Sequence, residues 1–87
     1  TSKRFYAAVV ALYAAETGIR RGTIVTYLYG LRRRSAVVLQ VTTDPEGGIR
    51  LSARPLLREG QSMGPEVFLT PERHKPENTG ETVHDLT

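Results

Sequence analysis

The sequence predicts an α+β domain in which an N-terminal helix leads, through a tight turn, into an antiparallel β-hairpin with a short third strand beside it. Three observations carry this. Residues 2–17, SKRFYAAVVALYAAET, are rich in alanine and run without interruption to a stop at Gly18. Residues 35–43 and 49–57 alternate about DPEGG, a turn with proline early and two glycines late. Between them, residues 23–31 read either as a second helix or as a further strand. With the second helix, the order is helix, helix, hairpin; with the strand, it is one helix packed on an antiparallel sheet of three to four strands.

At 87 residues the chain holds one domain. A domain of this size buries a modest core, so a partner would add to its stability. Hydrophobic residues make up 39% and charged residues 24%, the balance of a globular protein. There is no cysteine, which excludes disulfides, thiolate chemistry and cysteine-based zinc sites. No apolar run approaches the roughly 20 residues that span a bilayer, so no membrane role and a cytoplasmic location are expected. The net charge is +3, unevenly spread. Residues 1–34 carry seven basic side chains against Glu16 alone, a net of +6, while residues 35–69 and 70–87 are net −1 and −2. Such an asymmetry suits a surface that meets a polyanion.

Along the first helix, Phe5, Val9 and Leu12 form one stripe, Tyr6, Val10, Tyr13 and Thr17 a second, and alanines fill much of the rest. A helix apolar nearly all round does not lie on a wholly water-facing surface. One stripe is therefore expected to face the domain's own sheet and the other a second copy, giving a homodimer through this helix.

In AAETGIRRGTIVTYLYG, residues 14–30, a small residue at Ala14 is followed by Gly18 and Ile19, then by Ile24, Tyr27, Leu28 and Leu31 at i, i+3, i+4, i+7 spacing. The same residues 23–29 are mostly β-branched or aromatic, which is strand composition. On the helical reading, the order of sizes resembles the helix-turn-helix and winged-helix DNA-binding domains at motif level, over residues 10–57. The resemblance implies that Arg20, Arg21, Gly22, Val25, Thr26 and Tyr29 approach DNA in the major groove, and that Arg32, Arg33 and Arg34 hold the backbone. The hairpin would be the wing, bringing Arg50 to the adjacent backbone; the outward Arg50 and Arg54 suit phosphate contacts or, equally, a charged edge that discourages strand addition. One departure stands out: winged helices place a further helix before the pair, and only nine residues precede residue 10 here.

In the hairpin, Val37, Leu39 and Val41 are expected on one face of the first strand, and Ile49, Leu51 and Ala53 inward on the second. Pro55 lacks an N–H and marks an edge position. Residues 59–65 read as a loop and residues 67–69 as a short strand. Residues 70–87 combine prolines and charges with few apolar groups, so a domain over 1–69 is expected to end in a flexible tail, with Val83 and Leu86 as weak anchors.

Catalysis has little to stand on. His74 and His84 are the only histidines and fall in that tail; Asp44 and Glu46 are turn residues; Gly47 and Gly48 sit in a hairpin rather than before a helix. The expectation is a non-enzymatic, basic nucleic-acid-binding protein without metal or cofactor, with DNA favoured over RNA and a dimeric transcriptional regulator as its form. The alternatives are a structural subunit of a larger assembly, or a small RNA-binding β-barrel of the Sm-like or SH3-like kind.

Overall fold

The computed structural model describes residues 2–56 and 64–86. The chain runs α1 (Ser2–Thr17), β1 (Thr23–Tyr29), β2 (Arg32–Thr43), β3 (Ile49–Leu56), β4 (Val67–Leu69), the one-turn α2 (Pro71–His74) and β5 (Glu77–Thr82). The strands form one antiparallel sheet in the order β4-β3-β2-β1-β5. Through α2 the chain passes from the β4 edge to the opposite edge, where β5 pairs with β1.

The helical reading of residues 23–31 is overturned. Thr23–Tyr29 is a strand paired on both sides, to β2 and to β5, and α1 is the only substantial helix among the described residues, so there is no helix-turn-helix pair. The physical reason lies in the side chains. Thr23, Val25 and Tyr27 are buried on one face and Ile24, Thr26 and Leu28 half-buried on the other, a period of two that suits β-branched and aromatic residues. Gly30 then turns the chain with φ 63°, without a positive φ at Leu31, as in a type II′ hairpin.

Gly18 does stop α1. Its φ is 73°, and its N–H donates to the Ala14 carbonyl at 2.8 Å. The connection to β1 is closed by Thr23, whose hydroxyl accepts the Arg20 N–H at 3.1 Å and contacts the Gly18 carbonyl at 3.4 Å. Asn78 from β5 donates to the Thr17 carbonyl at 3.0 Å, capping the helix end from the far edge of the sheet.

The hairpin forms as its sequence indicates. Asp44 accepts the Glu46 and Gly48 N–H groups on one carboxylate oxygen, both at 2.9 Å, which assigns it to turn chemistry. Leu51 and Ala53 face the core. The expected inward set on β2 is corrected. Between Val38↔Ala53 and Gln40↔Ser52, β2 advances two residues for one on β3, so Leu39 is a bulge. The bulge breaks the alternation: Ala36 and Val38 face the core before it and Val41 after it, while Val37 is buried on the other face. Pro55 pairs with Ala36, beyond the Leu51–Ala53 stretch that meets β4, so its missing N–H costs no rung toward β4.

The core gathers Ile19, Val25, Tyr27, Ala36, Val38, Leu51, Ala53 and Leu69, with Tyr13 of α1 packed against it. On the opposite face Ile24, Val37 and Leu56 meet Val83 and Leu86 across a shallow cavity. Of the stretch read from composition as a tail, residues 70–86 supply α2, β5 and the cover of the second face. Of the loop expected over 59–65, only Gly64 and Pro65 lie within the described residues.

Candidate nucleic-acid interface

The basic residues of positions 20–34 do not form one surface. β1 separates them: Arg20 and Arg21 precede it, and Arg32, Arg33 and Arg34 follow its far end. Six strand steps place about 20 Å between the two groups. Arg21 donates to the Leu39 carbonyl at 2.8 Å, holding the bulge, and Arg20 is exposed.

Several of the residues proposed from the helical reading have other work. Val25 is 0% exposed, in the centre of the core, where its side chain is out of reach of an external ligand. Arg33 donates through Nη2 to the Thr26 carbonyl at 3.1 Å, the Thr26 hydroxyl at 3.2 Å and the Lys75 carbonyl at 3.0 Å, and it pairs with Glu77 at 3.0 Å. It is a staple joining β1 to the α2–β5 connection, and Thr26 is part of the same staple. Arg50 stacks on Phe68 at 5.3 Å, and Arg54 lines the cavity beneath Val83 and Leu86. Both lie on β3, remote in register from the β1–β2 turn.

The hairpin turn brings a different set together. Tyr29 and Arg32 are cross-strand partners, as are Tyr27 and Arg34. Alternation places all four on one face of the ribbon, continuous with the core face. The Arg34 guanidinium lies 4.4 Å from the centroid of the Tyr29 ring. Leu31, at the turn, is 103% exposed, and Tyr29 is 58% exposed. Below them Arg73 and His74 of α2 line a concavity with Leu28, Tyr29 and Gly30, and no carboxylate lines it. The ring of His74 stands edge-on to Tyr27, and its Nδ1 accepts the Thr70 N–H at 3.0 Å.

Burial pushes the Tyr27 hydroxyl above its ordinary pKa; the Arg34 charge opposes this and Tyr29 adds to it. Tyr13 is raised by burial alone. Both phenols therefore stay neutral at physiological pH, as donors rather than bases.

Arg73 and Leu31 were missed by sequence reasoning. The signal for Arg73 was present: TPERH places proline at the first helical position, a carboxylate in the first turn and basic residues in the last. Another concavity, between Tyr13, the 44–49 turn and residues 70–72, holds Asp44, Glu46 and Glu72, the wrong sign for phosphate. Among the described residues no cluster of His, Asp or Glu could hold a metal ion. Nor is any of their helices long and apolar enough to cross a membrane. Comparison with known proteins returns no matching family model, no matching curated protein and no matching solved structure.

Proposed function

We propose that the protein is a non-enzymatic, cytoplasmic module that binds single-stranded nucleic acid at the tip of its β1–β2 hairpin. The observation that carries this is the stack of Arg34 on Tyr29 beside a wholly exposed Leu31, with Arg32 paired across from Tyr29 and Arg73 lining the concavity below. The exposed part of the Tyr29 ring offers a base a stacking partner, and the guanidinium groups around it suit the flanking phosphates. Without a recognition helix the argument for duplex DNA in the major groove falls away, and with it the transcriptional regulator. What supports the present reading is the sheet alternative, a small β-domain that reads unpaired nucleotides by stacking and charge. The polar groups described at the tip are guanidinium groups and one phenol, assigned here to phosphates and to stacking, so the expected binding is weakly dependent on sequence.

The test is a salt titration of binding to fluorescent single-stranded oligonucleotides, RNA and DNA, beside a duplex of the same length. Three phosphate contacts predict a log–log slope of about −2 for a single strand. Replacing Arg32, Arg34 and Arg73 together by alanine removes that slope, and Tyr29→Ala weakens binding by about tenfold at constant slope. Equal binding by the triple variant, or tighter binding to the duplex, refutes the assignment.

A further inference from the structure

We infer that α1 is a self-association element, and that two copies of the chain pair through it antiparallel, with the two-fold axis level with residue 10 along the helix. This does not rest on the nucleic-acid reading.

Successive residues of an α-helix are turned by about 100°. On α1, Tyr6, Val9, Val10, Tyr13, Ala14 and Thr17 fall on one side and are all at least partly buried, with Tyr13 against the core and Tyr6 donating to the Pro45 carbonyl at 3.3 Å. The opposite side carries Phe5, Ala8, Leu12 and Ala15, all exposed, with Phe5 and Leu12 each 59% exposed. Its polar flanks are Arg4 at one end and Glu16 at the other, both exposed. A helix on a monomer's surface normally turns its charged side to water; α1 turns alanine, leucine and phenylalanine.

What should cover this stripe is written in its order. In an antiparallel pair centred on residue 10, each position lies level with the one whose number complements it to twenty. Phe5 of one copy then meets Ala15 of the other, and Ala8 meets Leu12, so each large side chain lies level with a small one. Arg4 lies level with Glu16 at both ends of the pair. A parallel pairing would set Phe5 against Phe5, Leu12 against Leu12 and like charges against each other. The stripe is complementary to itself in size and in charge only when reversed, which selects a second copy of this chain as the occupant. A 16-residue helix is about 24 Å long, so the buried area falls short of the roughly 800 Å² per partner of a standard interface. The pair is accordingly expected to be in concentration-dependent exchange with the monomer.

Sedimentation velocity over a concentration series, up to about 500 µM, should show a monomer–dimer equilibrium. Leu12→Glu should leave a monomer with an unchanged far-UV spectrum. Arg4→Glu should weaken association, and adding Glu16→Arg to it should restore association. Because the chain has no cysteine, the double variant Ala8→Cys, Leu12→Cys reads the register under mild oxidation: an 8-to-12 disulfide between copies is expected. A wild-type chain that stays monomeric throughout, a Leu12→Glu variant that associates as before, a charge exchange that restores nothing, or an 8-to-8 disulfide overturns the proposal.

Discussion

Gly22→Ala is the substitution that tests how the sheet is closed at the start of β1. Gly22 has φ 94°, in the left-handed region, and its neighbours leave no room for a side chain. A Cβ there would stand 2.6 Å from the Val83 carbonyl oxygen, a backbone atom that cannot rotate aside. The Val83 N–H donates to the Gly22 carbonyl at 2.7 Å, and the Gly22 N–H donates to Val38 at 2.8 Å, so residue 22 ties the beginning of β1 both to the centre of β2 and to the segment after β5. The left-handed backbone costs a residue with a Cβ about 1–2 kcal/mol. Moving Val83 away forfeits a backbone hydrogen bond worth about 1 kcal/mol net. The stiffer unfolded chain returns about 0.4–1 kcal/mol. The balance is a destabilisation of about 2 kcal/mol, or about 8–16 °C in midpoint for a domain of this length. Gly30→Ala is the internal control: its φ is also positive, at 63°, but nothing lies within 4 Å of its Cβ, so only the backbone cost remains, partly offset by the unfolded-state gain, a loss of about 1 kcal/mol. Urea unfolding followed by circular dichroism measures both. If the two variants have the same midpoint, the close approach of Val83 to Gly22 does not contribute, and the proposed closure of the sheet by residues after β5 is wrong.

Two further outcomes follow from side chains rather than backbone. Arg33→Ala removes a partly exposed ion pair with Glu77 together with the bonds to Thr26 and Lys75, and should destabilise by about 1 kcal/mol. It should leave the salt slope of oligonucleotide binding unchanged, whereas Arg34→Ala should lower the slope with little effect on stability; a swap of these two phenotypes would remove Arg33 from its structural role. Tyr13 and Tyr27 have their pKa values raised by burial, so the folded chain holds their protons more tightly than the unfolded one. Their contribution is complete below the ordinary phenol pKa of 10.0 and is lost as pH rises through their raised values. Thermal midpoints should therefore fall at alkaline pH above that value, and the fall should shrink in Tyr27→Phe; an equal fall in that variant would show that burial of this phenol does not set the alkaline limit.

Much of the fold was legible in local chemistry. Alanine-rich residues ending at a glycine made α1, and DPEGG between two alternating runs made the β2–β3 hairpin, because caps and turns depend on residues within a few positions of one another. The content of residues 23–29 was also present, in threonine, valine and tyrosine at a period of two. It was outweighed by an apolar spacing that fits a helix equally well, since a stretch that buries both of its faces satisfies either period. The candidate site was legible only in part. A basic bias and the Arg32, Arg33, Arg34 run could be read, but not which arginine is free.

By itself, then, the sequence determined an α+β chain without cysteine, a helix with apolar residues on every side, and a hairpin of known turn. Tertiary structure alone decided that β1 is a strand, because the pairing partners that make it one, β2 and β5, include a segment about fifty residues further on. It decided that Arg33 is a staple while Arg34 lies on Tyr29, since neighbours on a strand point to opposite faces and only the partners on each face assign their roles. The Leu39 bulge shows the same limit: one extra residue reverses which side of a strand is buried, and that residue is defined by the register with another strand, not by its own chemistry.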